Sequence, residues 1–295
     1  MVYICVLNYN NYVDTITCLK SLMNLSTVPY RILLIDNASP NGDGKLLSDF
    51  SGEYPDLIKF FQMKNNHGYA AGNNVGLRYA LSQEDMDYCW ILNNDTVVDS
   101  NSLSTLVKYM AENPDIGICG SRLMYEWDRS KLQGYGGIYH YWTGESRYCK
   151  RKEDIRNIDF VIGASVFVSR AFLEEIGLMS EDYFLYYEEI DWATRAKGKF
   201  KLSCCVGSIV YHKEGASIGT NQKDPRDDSC LSEYFNVRNR ILFTRKYYPF
   251  HIVTIYLRIL GKVYRRIRWH QWNKAWMFVK LLIGRGTEEY EKLLS

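Results

Sequence analysis

Tyr88-Cys89-Trp90-Ile91-Leu92-Asn93-Asn94-Asp95-Thr96 sets five bulky, mostly apolar side chains against two amides and a carboxylate. A run of that kind, short and ended by turn formers, reads as a buried strand. The same figure recurs upstream. Val2–Leu7 ends on Asn8-Tyr9-Asn10-Asn11, and Arg31–Ile35 ends on Asp36-Asn37-Ala38-Ser39. Ile58–Gln62 leads into Asn65-Asn66-His67-Gly68-Tyr69-Ala70-Ala71-Gly72-Asn73-Asn74-Val75-Gly76, and Ile116–Gly120 supplies a fifth strand. Between these runs, Tyr12–Met23, Gly72–Leu81 and Ser102–Glu112 carry apolar residues at helical spacing. The alternation predicts an α/β chain with a mostly parallel central sheet and helices on both faces. In such sheets ligands bind beyond the carboxyl ends of the strands, where these Asn and Asp residues fall.

Downstream, residues 121–160 are rich in Gly, Tyr and charge and read as loops with a hairpin. Strands are expected at Phe160–Val168 and Leu202–Val210, and helices at Arg170–Ile176 and Ser232–Lys246. Asn and Asp are also the commonest turn residues, so one strand end alone carries little; four in register point to a polar site. The Gly68–Gly76 stretch is neither a G-x-G-x-x-G fingerprint nor a phosphate-binding loop ending in G-K-S/T. Asp95 suits a hard divalent cation, and His212, also at a strand end, is a candidate further ligand. In Tyr183-Phe184-Leu185-Tyr186-Tyr187-Glu188-Glu189-Ile190-Asp191-Trp192, three carboxylates lie among five aromatic rings. Rings that strip water from a carboxylate raise its pKa, which suits a general base.

Charge is unevenly spread over the 295 residues. From Tyr234 to Thr287 there are twelve Arg and Lys and no Asp or Glu, leaving 24 basic and 34 acidic residues elsewhere. The part from Phe250 to Leu282 is apolar, aromatic and basic at once, with no apolar run near the ~20 residues that span a membrane. It is expected to form helices on an anionic membrane surface, the other reading being helices that pack on the catalytic domain or make a homodimer. No nucleic-acid motif accompanies the charge, so a nucleic-acid partner is not expected. The eight cysteines show no C-x-x-C pair and several lie in apolar runs, as small buried hydrophobes do. Met1 leads directly into Val2–Leu7 with no basic leader, so the expected address is the cytoplasm, at the inner face of the cell membrane.

The ordered set N-Y-N, I-D-N-A-S, N-N-H-G-Y-A-A-G-N-N-V-G, L-N-N-D-T, G-A-S, Y-E-E-I-D-W and H-K-E-G-A-S resembles the inverting family 2 glycosyltransferases of GT-A fold, in particular their bacterial rhamnosyltransferase-like branch. The resemblance covers roughly residues 2–245, implying a catalytic domain over 1–245 (a nucleotide-binding half, 1–120, and an acceptor half, 121–245) and a basic helical tail over 246–295. It implies sugar transfer from a nucleotide-diphosphate sugar to a glycan or lipid-linked glycan in cell-surface polysaccharide synthesis. Asn8, Asp36, Asn37, Gly72, Asn73, Asn93, Asn94 and Asp95 would bind the donor; Gly163, Ala164, Ser165 and Trp192 would meet the acceptor. Asp95, with His212, would hold Mn²⁺ or Mg²⁺, because Asn93 stands where the family's first metal-side acid usually is. Glu189 maps to the catalytic base, with Asp191 its nearest competitor and Glu188 positioning the acceptor. The rival readings are a non-catalytic sugar-binding module and a sugar nucleotidyltransferase.

Overall fold

The computed structural model describes residues 1–25, 27–213 and 226–292. The Gly215-Ala216-Ser217 end of the last motif lies outside the described residues. Strands β1 (Val2–Asn8), β2 (Tyr30–Asp36), β3 (Ile58–Gln62) and β4 (Tyr88–Asn93) pair in parallel in the order β3-β2-β1-β4. Alternate residues leave opposite faces of the sheet. On one face Val2, Ile4, Val6 and Trp90 pack against Cys18, Leu19 and Leu22 of α1 (Tyr12–Leu22) and Leu103 and Leu106 of α4 (Ser102–Glu112). On the other, Tyr3, Cys5, Cys89 and Ile91 pack against Ala70, Leu77 and Ala80 of α3 (Gly68–Leu81). Strands buried on both faces in this way read as continuous apolar runs rather than alternating ones.

The sheet continues beyond β4 through β10 (Ser165–Ser169), β6 (Ile116–Tyr125), β11 (Lys201–His212) and β5 (Thr96–Val98), with β10 and β5 antiparallel to their neighbours. Only Asn94 and Asp95 separate β4 from β5, yet β5 pairs at the far edge of the sheet. The sheet must therefore curl to bring that edge back beside the end of β4. β7 (Leu132–Gly134) adds to β6, and β8 (Gly137–His140) with β9 (Glu145–Tyr148) makes the expected hairpin.

Several expectations change. The strand predicted over Phe160–Val168 is regular only from Ser165, because Phe160 bridges to Gly137 and Gly163 opens the loop between them. α3 begins at Gly68 rather than Gly72. Gly72 then lies inside α3, where a methyl group would sit 2.5 Å from Leu7 Cδ1, so its smallness lets the helix press onto β1. α2 (Asp43–Gly52), α5 (Arg170–Ile176) and α6 (Glu188–Ala196) complete the sheet's helices.

The chain continues as α7 (Cys230–Tyr247), α8 (Ile252–Arg268) and α9 (Trp272–Leu282). The boundary expected at residue 245 falls inside α7. Tyr234, Phe235, Val237 and Ile241 of α7 share one core with Ile255, Ile259, Val263, Phe278 and Leu281 of the tail, and Phe184 joins it from the segment before α6. Glu233 takes the buried Arg266 as an ion-pair partner and Lys274 at 3.4 Å. These helices therefore pack onto the rest of the molecule along one side.

Candidate active site

At the carboxyl ends of β1, β2 and β4 the polar side chains meet. Asn8 Nδ2 donates to Asp36 Oδ1 at 2.8 Å, and Asn8 Oδ1 accepts from Thr15 Oγ1 at 2.7 Å. Asp36 also accepts from Ser39 N and Gln62 Nε2 at 3.0 and 2.8 Å, while Asn94 Nδ2 donates to Thr15 Oγ1 at 2.8 Å. Asn8 and Asp36 are fully buried. These three expected donor contacts thus tie the strand ends together. The amides beside them are less satisfied. Asn37 donates to Asn66 Oδ1 and Gly68 O, and Asn73 donates to Tyr69 O, but the side-chain oxygens of Asn37, Asn73 and Asn93 are buried without a partner. Buried acceptors of this kind call for a donor from elsewhere, such as the N–H or O–H of a ligand.

The short link from β4 to β5 decides where Asp95 goes. Thr96 pairs with His212, and Lys213 N donates to Asp95 O at 3.1 Å, which brings Asp95 Oδ1 within 3.2 Å of His212 Nε2. Both residues are buried. His212 Nδ1 lies 3.1 Å from Oε1 of the fully buried Gln133 on β7. With that oxygen accepting the Nδ1 proton, the Nε2 lone pair faces the carboxylate, an arrangement that a divalent cation between them relieves. Among the described residues no group of three or more His, Cys, Asp or Glu surrounds such an ion. A cation held here would find one carboxylate and one imidazole from the chain and would need its other ligands from elsewhere. Gln133 carries no signal in the sequence; only the strand pairing of β7 reveals it.

Glu188 and Glu189 open α6, where the positive end of the helix dipole lies. Before them Tyr186 and Tyr187 both adopt left-handed backbone, at φ 68° and 77°, a conformation costly for bulky residues. Neighbours hold that turn in place. Asn239 Nδ2 on α7 donates to Leu185 O and Tyr186 O at 2.8 and 3.0 Å, Tyr187 OH donates to Gly144 O at 2.8 Å, and Tyr69 N donates to Phe184 O at 2.9 Å. Gly68, at φ 91°, passes so close to Phe184 O that any side chain there would collide. Burial pushes the Glu189 carboxyl up to about 7. Glu188 is buried more deeply, with Oε2 unpartnered, and burial together with the neighbouring Glu189 charge lifts it well above the usual carboxylate range. Tyr69 connects the two halves of the site. Its hydroxyl donates to Gly163 O at 2.7 Å, and burial together with the charges of Glu188, Glu189 and Asp95 raises its pKa.

Other predicted residues are occupied elsewhere. Asp191 is fully buried and bonded to Arg195 Nε, Lys246 Nζ, Tyr183 OH and Tyr247 OH at 2.8 to 3.1 Å, so it clamps α6 to α7. Trp192, expected to meet the acceptor, is fully buried, packs edge-on against Phe172 in the core and donates to Gly177 O at 2.9 Å. Ser165 Oγ accepts from Trp90 Nε1 and donates to Ser121 Oγ, both at 2.9 Å, beneath the sheet surface. Ala164 is buried and its carbonyl accepts from Asn93 N at 3.2 Å. Gly163 alone of that loop is half-open, with Tyr69 OH as its neighbour.

Residues 3–177 match the family described as Glycosyl transferase family 2. The chain belongs to that family. The family 2 match ends before α6, so Glu188, Glu189 and His212 rest on geometry and motif rather than on it. Over 289 residues (97% of this chain, 86% of the relative) the sequence is 22% identical to the low-salt glycan biosynthesis hexosyltransferase Agl10 of Haloferax volcanii. It is 22% identical to the dTDP-rhamnosyl transferase RfbF of Shigella flexneri over 81% of each chain. The fold is similar to that of GalNAc-T7 solved with UDP, GalNAc and Mn²⁺, at a TM-score of 0.65 and 14% identity over 85% of this chain and 49% of that one, about half of the longer protein. It is also similar to the mannosyltransferase PcManGT of Pyrobaculum calidifontis in complex with GDP-Man and Mn²⁺, at 0.58 and 13% identity over 99% and 78%. This family 2 chain is a glycosyltransferase with the GT-A fold.

Proposed function

We propose that the protein moves a sugar, rhamnose or a hexose, from a nucleotide-diphosphate donor to a hydroxyl of a glycan or lipid-linked glycan, inverting the anomeric carbon, in cell-surface polysaccharide synthesis. The observation that carries this reading is Glu189, a carboxyl that burial pushes up to about 7 and whose charge acts, with that of Asp95, on the buried Tyr69. A base with that pKa is ionised enough to act and basic enough to take a hydroxyl proton. Glu189 accepts the proton as the acceptor oxygen forms its bond to the anomeric carbon. The bond from that carbon to the diphosphate oxygen breaks on the opposite face, and the nucleotide leaves with the electron pair. Glu188, more deeply buried and lifted well above the usual carboxylate range by burial and the neighbouring Glu189, positions the acceptor. The open amide oxygens of Asn37, Asn73 and Asn93 accept from the donor's base and sugar. Asp95 and His212 would hold Mn²⁺ or Mg²⁺, which when bound offsets charge on the departing diphosphate.

The test is Glu189→Gln, which keeps the shape and removes the base. Transfer should fall by a factor on the order of 10² to 10⁴, while the donor's Kd, measured by calorimetry, stays within about twofold of wild type. Near-normal turnover in that variant would sink the assignment. The names of Agl10 and RfbF support hexosyl or rhamnosyl transfer, and a panel of dTDP-, UDP- and GDP-sugars separates the two.

A further inference from the structure

α8 has two apolar faces. Ile255, Ile259 and Val263 turn inward onto α7 and α9. Val253, Leu257, Leu260, Tyr264 and Ile267 recur at spacings of four, three, four and three and face outward, Val253 65% and Leu257 63% exposed. At about 100° per residue these five make one continuous stripe along the helix. Phe250, 96% exposed, stands at its amino end, and the exposed Trp269, Trp272 and Trp276 follow its carboxyl end. Arg265 and Arg268, both exposed, fall along one flank of the stripe on the same wheel, and Arg258 on that flank lies 3.6 Å from Glu145. Single exposed apolar side chains are ordinary; a stripe this long marks a contact surface.

Charge identifies the occupant. A second copy of this chain could close the stripe as a coiled-coil seam, since the spacing allows one. It would also bring two basic, acid-free segments together, with no Asp or Glu between Tyr234 and Thr287 to pair across the seam. An anionic bilayer covers apolar side chains and attracts arginines at once. No helix among the described residues is long and apolar enough to cross a membrane. We propose that the outward stripe of α8, with Phe250 and the tryptophans at its ends, lies in the headgroup region of an anionic lipid surface. This narrows the docking face from the whole basic segment, because α7 is packed inside the molecule and Arg266 and Lys274 are held by Glu233. Vesicle binding is read without activity, so the transferase reading and this one fail separately.

The experiment is flotation of the full chain with vesicles of phosphatidylcholine alone and of phosphatidylcholine with phosphatidylglycerol, alongside sedimentation equilibrium. Wild type should float with the anionic vesicles only. Arg265→Gln with Arg268→Gln should lower the partition coefficient about 30-fold, since each surface charge contributes roughly fivefold. Leu257→Ser with Leu260→Ser should lower it at least about tenfold at any salt concentration. All four positions are exposed and outside the site, so circular dichroism and sugar transfer to a water-soluble acceptor should be unchanged. Wild type remaining unbound with both vesicle types would overturn the proposal. So would a wild-type dimer that the double serine variant dissociates, which would make the stripe a self-interface.

Discussion

Two adjacent glutamates differ because one is more deeply buried than the other. Glu189 at about 7 must lose its proton to act, so kcat/KM should rise with pH, reach half its limit near 7 and stay flat above it. A rate that falls across that interval would assign Glu189 to the acid role instead. Gln133 is the residue that sequence reasoning had no means to find. It acts on His212 through one hydrogen bond, fixing which ring nitrogen faces Asp95. Gln133→Leu should weaken Mn²⁺ binding about 10- to 100-fold by calorimetry while leaving the apo protein's fold intact. Asp95, Glu189 and His212 were legible as residue types at strand ends or among aromatics. Asp191 and Trp192 were not, since only the packing of α6 shows one neutralised by Arg195 and Lys246 and the other sealed against Phe172.

Among the elements, the two consecutive left-handed tyrosines before α6 depend on α7. Asn239 caps both of their neighbouring carbonyls from a fully buried position. It touches no reacting group and so acts as a positioning residue. Asn239→Ala should lower kcat about tenfold or more, through misplaced glutamates, with little change in donor KM; a fall in KM affinity alone would argue against it. The parallel strands were readable because strands buried on both faces are nearly unbroken apolar runs. α2 was missed because Asp43–Gly52 offers few apolar residues between glycines, and β5 because its three residues are a strand only through their pairing with β11.

For the whole molecule, the tail is an integral part of the fold. A chain ending after Tyr248 would uncover Tyr234, Phe235, Val237 and Ile241 and leave Glu233 without its two cations. At about 1.5–3 kcal/mol per large buried apolar side chain, that loss is comparable with the ~5–15 kcal/mol that holds a typical domain folded. Residues 1–248 should therefore aggregate or elute as a swollen species on size exclusion, whereas a monomer with native circular dichroism would show the tail to be an appendage. Membrane docking is accordingly tested by surface substitutions and not by deletion.

The two-residue link between β4 and β5 also sets a timetable. Synthesis at about 5–20 residues per second delivers Asp95 roughly 6 to 23 seconds before His212. During that interval the emerging chain can pair β3-β2-β1-β4, but the far edge that receives β5 does not yet exist. Ser102 waits likewise for Ile209, 107 residues later. The Asp95–His212 pair thus cannot form before the last strand, and a chain interrupted before β11 has β5 without its partner strand and no assembled centre.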